Sequence, residues 1–141
     1  MSKTGPIGIV DDNKTEWILY KEALHHLKVK NSMIFFENGK LALDYLKRTE
    51  ESPFLIICDI RMPVMGGLDF RKEISIDPYL IKKATPFVFR TSLVTNEEII
   101  MSYELTVQGF FAKRTDFQEL LKQLKIIIEY WKESYDPNSR L

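Results

Sequence analysis

The sequence predicts an α/β protein, a doubly wound sheet of five parallel strands flanked by five helices. Two observations carry this. Short, unbroken apolar runs alternate with stretches whose apolar residues recur every three or four positions, the pattern of strands buried on both faces and of amphipathic helices packed over them. Four of the runs also end abruptly in polar residues: Asp11-Asp12, Asp59, Thr91-Ser92 and Lys113. Right-handed crossovers bring all strand carboxyl ends to one edge of the sheet, and ligands of open α/β sheets bind beyond that edge.

The first strand is residues 6–10, ending in Asp11-Asp12. Asn13-Lys14-Thr15-Glu16 then reads as a capping box, a side chain that caps followed three positions later by Glu. Trp17, Tyr20, Leu24 and Leu27 form the core stripe of the first helix; His25 and His26 are adjacent, cannot share a face and read as solvated. Residues 32–36 form the second strand. Asn38-Gly39 turns into a helix carrying Leu41, Ala42, Tyr45 and Leu46, closed by Glu50-Glu51-Ser52-Pro53. The run 54–58 stops at Asp59, ahead of Met62-Pro63 and Gly66-Gly67, and Asp59 taken alone reads equally as a turn cap and as a ligand-binding group.

A third helix spans 68–74, and 77–83 is a longer connection than a compact loop needs, with room for a helical turn. Residues 85–90 form the fourth strand, with Pro86 near its start, where a missing donor does least harm. Thr95-Asn96-Glu97-Glu98 is a second capping box and opens a helix running to about Leu105. Residues 109–112 form the fifth strand. Thr115-Asp116-Phe117-Gln118 caps the last helix, whose stripe is Phe117, Leu120, Leu124, Ile127 and Trp131; residues 134–141 read as a polar, flexible tail on a core of 5–133.

Composition narrows the classes. At 141 residues the chain reads as one domain, with 45% apolar residues and no repeat. Twenty basic and twenty acidic residues cancel, which argues against nucleic-acid binding by bulk charge. One cysteine, Cys58, excludes a disulfide framework and a thiolate metal cluster and suits a reducing compartment. No window approaches the roughly 18 apolar residues of a membrane span, and the N-terminus carries no signal-peptide pattern. The expected location is cytoplasmic.

The topology gathers Asp11, Asp12, Asp59, Thr91 and Lys113. Three carboxylates without His or Cys are a hard, oxygen-only environment suited to Mg²⁺, with Mn²⁺ as a substitute. Lys113 offsets the remaining charge and the Thr91 hydroxyl is placed to donate to a phosphoryl oxygen. These parts describe phosphoryl transfer, in which positioning and charge neutralisation dominate and a carboxylate such as Asp59 serves as nucleophile.

On these residues, together with Met62-Pro63, Gly67 and Phe110, the chain resembles the CheY-like receiver domains of bacterial two-component signalling over essentially its whole length. The resemblance implies a flavodoxin-like fold and a stand-alone response regulator, a signalling phosphoacceptor that assists its own phosphorylation and dephosphorylation and is not a conventional enzyme. It implies that Asp59 takes a phosphoryl group from a sensor histidine kinase or phosphotransfer protein. Asp11, Asp12, Asp59 and the backbone carbonyl of Arg61 would hold Mg²⁺, and Lys113 and Thr91 would contact the phosphoryl oxygens. Thr91 and Phe110 would switch the surface of the fourth helix, fifth strand and fifth helix. Ile99, Ile100, Tyr103 and Phe111 are the candidate docking face there, against the commoner explanation of core packing, and a homodimer stays open. Direct binding to nucleic acid or membrane is not expected. The length of the segment before the fourth strand resembles regulators paired with phytochrome-type or hybrid kinases.

Three positions matter against that pattern. The family usually has Pro after the lysine, joined by a cis peptide; Arg114 stands here, and since a cis non-Pro bond costs about 3 kcal/mol a trans bond is expected. Phe110, with no hydroxyl, should bury without an unpaired polar group. The side chain of Arg61 reads equally as a phosphate or kinase contact and as a solvated rim charge. Two rival functions stay open: a phosphorylation-independent adaptor of the same fold, and a haloacid-dehalogenase-like phosphatase, faintly echoed in Asp11-Asp12-Asn13-Lys14-Thr15 but with Asn13 where the second acid belongs.

Overall fold

In a computed structural model, describing residues 2–114, 116–135 and 137, the apolar runs form strands β1 (Ile7–Val10), β2 (Met33–Phe36), β3 (Leu55–Cys58), β4 (Phe87–Thr91) and β5 (Gly109–Ala112). All pair in parallel, in the order β2-β1-β3-β4-β5. The strand order reverses at β1 and β3, and that switch point is where a doubly wound sheet opens a crevice. The helices are α1 (Lys14–His26), α2 (Gly39–Arg48), α3 (Gly67–Ile76), α4 (Pro78–Lys83), α5 (Asn96–Glu104) and α6 (Phe117–Glu133), preceded by a 3₁₀ turn at Ser2–Thr4.

The period of two along each strand divides the core. Ile7, Ile9, Leu55, Ile57 and Val88 face α1 and α6, meeting Tyr20, Leu24, Leu120, Leu124 and Ile127. Val10, Ile56, Cys58, Phe87 and Phe89 face the other layer, meeting Leu43, Leu46, Phe70, Ile74 and Leu80. Arg90, next after Phe89, therefore falls on the α1/α6 side, and Thr91 on the other.

Six α-helices appear among the described residues where five were expected. The segment 77–83, read as a connection, is α4: the Asp77 side chain accepts from the backbone N–H of Tyr79 and Leu80, Pro78 supplies a preset first turn, and Ala84 ends it at φ 48°. Asn13 caps α1 through the N–H of Thr15, and Thr95 caps α5 through that of Glu98. Asp116 caps α6; Thr115, read with it, lies outside the described residues, as does most of the tail. His25 and His26 are exposed, as expected. The Lys113–Arg114 bond is trans, and among the described residues there are no cis peptides.

Candidate functional site

Each acid of the site stands at the end of a strand for a local reason. The backbone N–H of Asp59 continues the ladder to Val10, and its carboxylate Oδ1 then accepts the N–H of Ile60 at 2.7 Å, which turns the chain out of the sheet. Asp11 does the same on β1, accepting the N–H of Asn13 at 2.9 Å. The indole of Trp17 donates to the Asp11 carbonyl at 2.8 Å, tying α1 to this edge. The loop after Asp59 folds back so closely that the Gly67 N–H reaches the carbonyl of Ile60 at 2.8 Å. A Cβ on Gly67 would stand 2.1 Å from the Asp59 carbonyl oxygen and 2.8 Å from the Phe89 ring, so only glycine fits there.

Lys113 joins these acids. Its backbone N–H bonds to the carbonyl of Thr91 at 2.8 Å, and its ammonium lies 2.8 Å from Asp11 Oδ2, 3.1 Å from Asp59 Oδ2 and 3.6 Å from Glu16 Oε1. Burial is the largest influence on Asp11 and pushes its carboxyl above the usual range, against the hydrogen bonds of Lys113 and Asn13. Burial alone would disfavour the charge on Lys113; hydrogen bonds and charges of Asp11 and Asp59 more than reverse that and push it above the usual lysine range. Cys58, fully buried beside Asp59 and Asp11, is pushed well up, chiefly by burial, and is an inert thiol.

Oxygens of Asp11, Asp12 and Asp59 lie within 4.8 Å of one another, with Asp12 exposed. This hard, all-carboxylate set is the donor chemistry that would hold a divalent cation. Thr91 is fully buried at the end of β4, its Oγ1 3.5 Å from the Arg61 guanidinium. Phe110 is half-buried against Phe89 at 6.2 Å between ring centroids, with no polar group to satisfy. The Arg61 side chain is neither a free rim charge nor turned to Asp59: it straps the acceptor loop to α5, with Nη2 2.6 Å from Glu98 Oε1 and Nη1 donating to the Leu93 carbonyl at 2.9 Å. Asn13, where a phosphatase would need its second acid, is committed to capping α1. A cavity of about 310 Å³ opens at the opposite edge of the sheet, between α3, α4 and the starts of β4 and β5, and holds none of these groups.

Three contributors were not read from the sequence. Glu16, taken as half of a capping box, turns its carboxylate to Lys113 and Arg90 instead. Arg90, read only as the last residue of the fourth strand, is buried, 1% exposed, and Gln123 on α6 bonds to it. The available signal was a charge inside the run Phe87-Val88-Phe89-Arg90-Thr91, one residue before a site hydroxyl.

A doubly wound sheet with acids on two strand ends, a buried hydroxyl on a third and a lysine on the next is the architecture of a phosphoacceptor module. The chain belongs to the response regulator receiver domain family, which it matches over residues 7–125. Phosphorylation by histidine kinases is the standard function of that family, a signalling function and not that of a classical enzyme, and its members interact with histidine kinases or phosphotransfer proteins. The chain is 28% identical to the response regulator Rcp1 of Synechocystis over 131 residues, 89% of this chain and 88% of Rcp1. It is 27% identical to the probable methanogenesis regulatory protein FilR2 of Methanothrix harundinacea, covering 87% of this chain and 81% of that one. Among solved structures it superposes on the phosphorylated cyanobacterial phytochrome response regulator RcpA with a TM-score of 0.84 at 28% identity, covering 95% and 98% of the two chains. The Mn²⁺-bound form of Rcp1 follows at 0.80 and 27%, covering 95% and 99%. Among the described residues no helix is long and apolar enough to cross a membrane.

Proposed function

We propose that Asp59 is the phosphoryl acceptor of this receiver, working with Mg²⁺ and in the cytoplasm. The carrying observation is the Lys113 ammonium, within 3.1 Å of Asp59 and 2.8 Å of Asp11 in a cluster of carboxylates. Asp11, Asp12, Asp59 and the carbonyl of Arg61 are the groups that would hold the metal, which when bound supplies positive charge to the transferring phosphoryl oxygens. An Asp59 oxygen forms the new P–O bond as the P–N bond to the donor's phosphohistidine breaks, and the released imidazole nitrogen takes up a proton. Lys113 is already within reach of the acceptor oxygen, and Thr91 at the next strand end is the hydroxyl donor to a second phosphoryl oxygen.

The loaded site would change α5 through two contacts. Arg61, now tied to Glu98 and Leu93, is within 3.5 Å of Thr91, so an anion at Asp59 competes for its guanidinium. Phe110 packs on Phe89 beneath the same edge. Both bias the surface of α5 and β5, where Ile100 and Tyr103 are exposed, toward a protein partner. Incubation with acetyl phosphate and Mg²⁺, followed by mass spectrometry, should yield a base-labile phosphate adduct on wild type and none on Asp59→Asn. An adduct that survives in Asp59→Asn refutes the assignment by placing the phosphoryl group elsewhere, and none on wild type refutes it in favour of a phosphorylation-independent adaptor.

A further inference from the structure

Lys113 is followed by Arg114 in an ordinary trans linkage, and beyond its contacts with Asp11 and Asp59 its side chain meets a second network. Glu16 Oε1 lies 3.6 Å from the Lys113 ammonium. The other carboxylate oxygen, Oε2, is buried without a hydrogen-bond partner among the described residues and stands 3.7 Å from Arg90 Nη1. Arg90 accounts for its own burial through the α1/α6 layer: Nη1 donates to the Tyr20 hydroxyl at 3.1 Å, Nε donates to Gln123 Oε1 at 3.0 Å, and the guanidinium lies 5.4 Å from the Tyr20 ring centre. The Gln123 amide donates in turn to the carbonyl of Ala112 at 2.6 Å, the residue before Lys113. The network therefore starts at the ammonium of Lys113 and closes on its backbone.

A Glu–Arg pair with the arginine fully buried and the glutamate largely so is a poor stabiliser, because desolvation offsets the attraction. What this pair supplies is an anion in one place. Of the acids touching Lys113, Asp11 and Asp59 belong to the metal and phosphoryl site, and Glu16 does not. We infer that Glu16 and Arg90 are positioning residues for phosphoryl transfer: Glu16 retains the Lys113 ammonium at the Asp59 edge when Asp11 and Asp59 turn to other ligands, and Arg90, braced by Tyr20 and Gln123, holds the Glu16 carboxylate in place. This rests on Asp59 and Lys113 acting as proposed above.

The test compares wild type, Glu16→Gln, Glu16→Asp, Arg90→Met and the Glu16→Gln/Arg90→Met pair. Denaturant unfolding establishes that each is folded. At saturating acetyl phosphate, Glu16→Gln should slow Asp59 phosphorylation about tenfold, as expected for a displaced transfer group, and Glu16→Asp should recover part of it. Mn²⁺ alone, titrated through intrinsic tryptophan fluorescence, should bind within about twofold of wild type, since Glu16 is not a ligand. The double variant should be no slower than Glu16→Gln, as for residues acting in one chain. In metal-free protein the Lys113 Nζ resonance should shift in Glu16→Gln and in Arg90→Met. A Glu16→Gln rate within twofold of a phosphorylated wild type, an unshifted Nζ resonance, additive losses, or Mn²⁺ affinity falling in proportion to the rate each overturns the inference. Failure of wild type itself to phosphorylate at Asp59 overturns the acceptor assignment instead, while the Nζ resonance still reports on the Glu16 contact.

Discussion

Gly67→Ala measures how tightly the acceptor loop is built. The new methyl carbon would meet the Asp59 carbonyl oxygen at 2.1 Å, Phe89 Cε1 at 2.8 Å and Ile60 Cα at 3.0 Å. Two of the three are backbone atoms, one of them on the proposed acceptor itself, so relief requires a shift on the order of 1 Å in main chain held on both sides. Overpacking of this kind costs typically 1–3 kcal/mol, and with backbone as the obstacle the upper end applies, about 3 kcal/mol. For a chain of this size that is a fall in Tm of roughly 10 °C. A displacement of that size at a reacting group costs on the order of 100-fold in rate, so phosphorylation by acetyl phosphate should fall by more than stability explains. Gly8→Ala is the internal control: its Cβ would meet Ile56 Cγ1 at 3.6 Å and the Leu55 carbonyl at 4.0 Å, ordinary contacts, and the strand should lose nothing and gain a few tenths of a kcal/mol from the less flexible unfolded chain. The two glycines are compared by urea unfolding and by initial phosphorylation rates. A Gly67→Ala protein within about 0.5 kcal/mol of wild type and normally phosphorylated would show that the loop yields, and would refute the close-packing account of the site.

Burial holds the Tyr20 hydroxyl neutral up to about 12, from an ordinary value of 10.0. Because the folded value is the higher, the contribution is complete below pH 10 and is lost as pH rises toward 12, by about 3 kcal/mol on the linkage relation; in Tyr20→Phe the alkaline limb of stability should flatten by that amount, and an unchanged limb in urea melts at pH 9 to 12 counts against it. Val64, in the loop after Asp59, has φ 68° and is 83% exposed. A left-handed conformation costs a β-branched residue roughly 1–2 kcal/mol and Asn far less, so Val64→Asn should raise stability by about 1 kcal/mol, and calorimetry showing no gain would mean the loop carries no strain there.

The sequence alone was enough for the strands, their parallel order of appearance and the polar residues at their ends, because unbroken apolar runs of four or five residues have few other uses and crossover handedness orients them all alike. Asp11, Asp12, Asp59, Thr91 and Lys113 were legible for the same reason: each interrupts an apolar run at its carboxyl end. Asp77-Pro78 carried the start of α4, but six residues are too few to show a period, and packing of Leu80 against the α2/α3 layer settled the matter. The partners of the charges were a tertiary matter. Glu16 sits at a capping-box position, and sequence rules send its carboxylate to a local N–H; the neighbouring strand ends offer Lys113 and Arg90, and those full charges outcompete a backbone donor. Arg61 was undecided between phosphate and solvent until the fold placed Glu98 within 2.6 Å of it. Local pattern decides which residues interrupt a strand, since that depends on near neighbours alone. Which charges meet across the sheet edge depends on elements tens of residues apart, and only the packed chain brings those together.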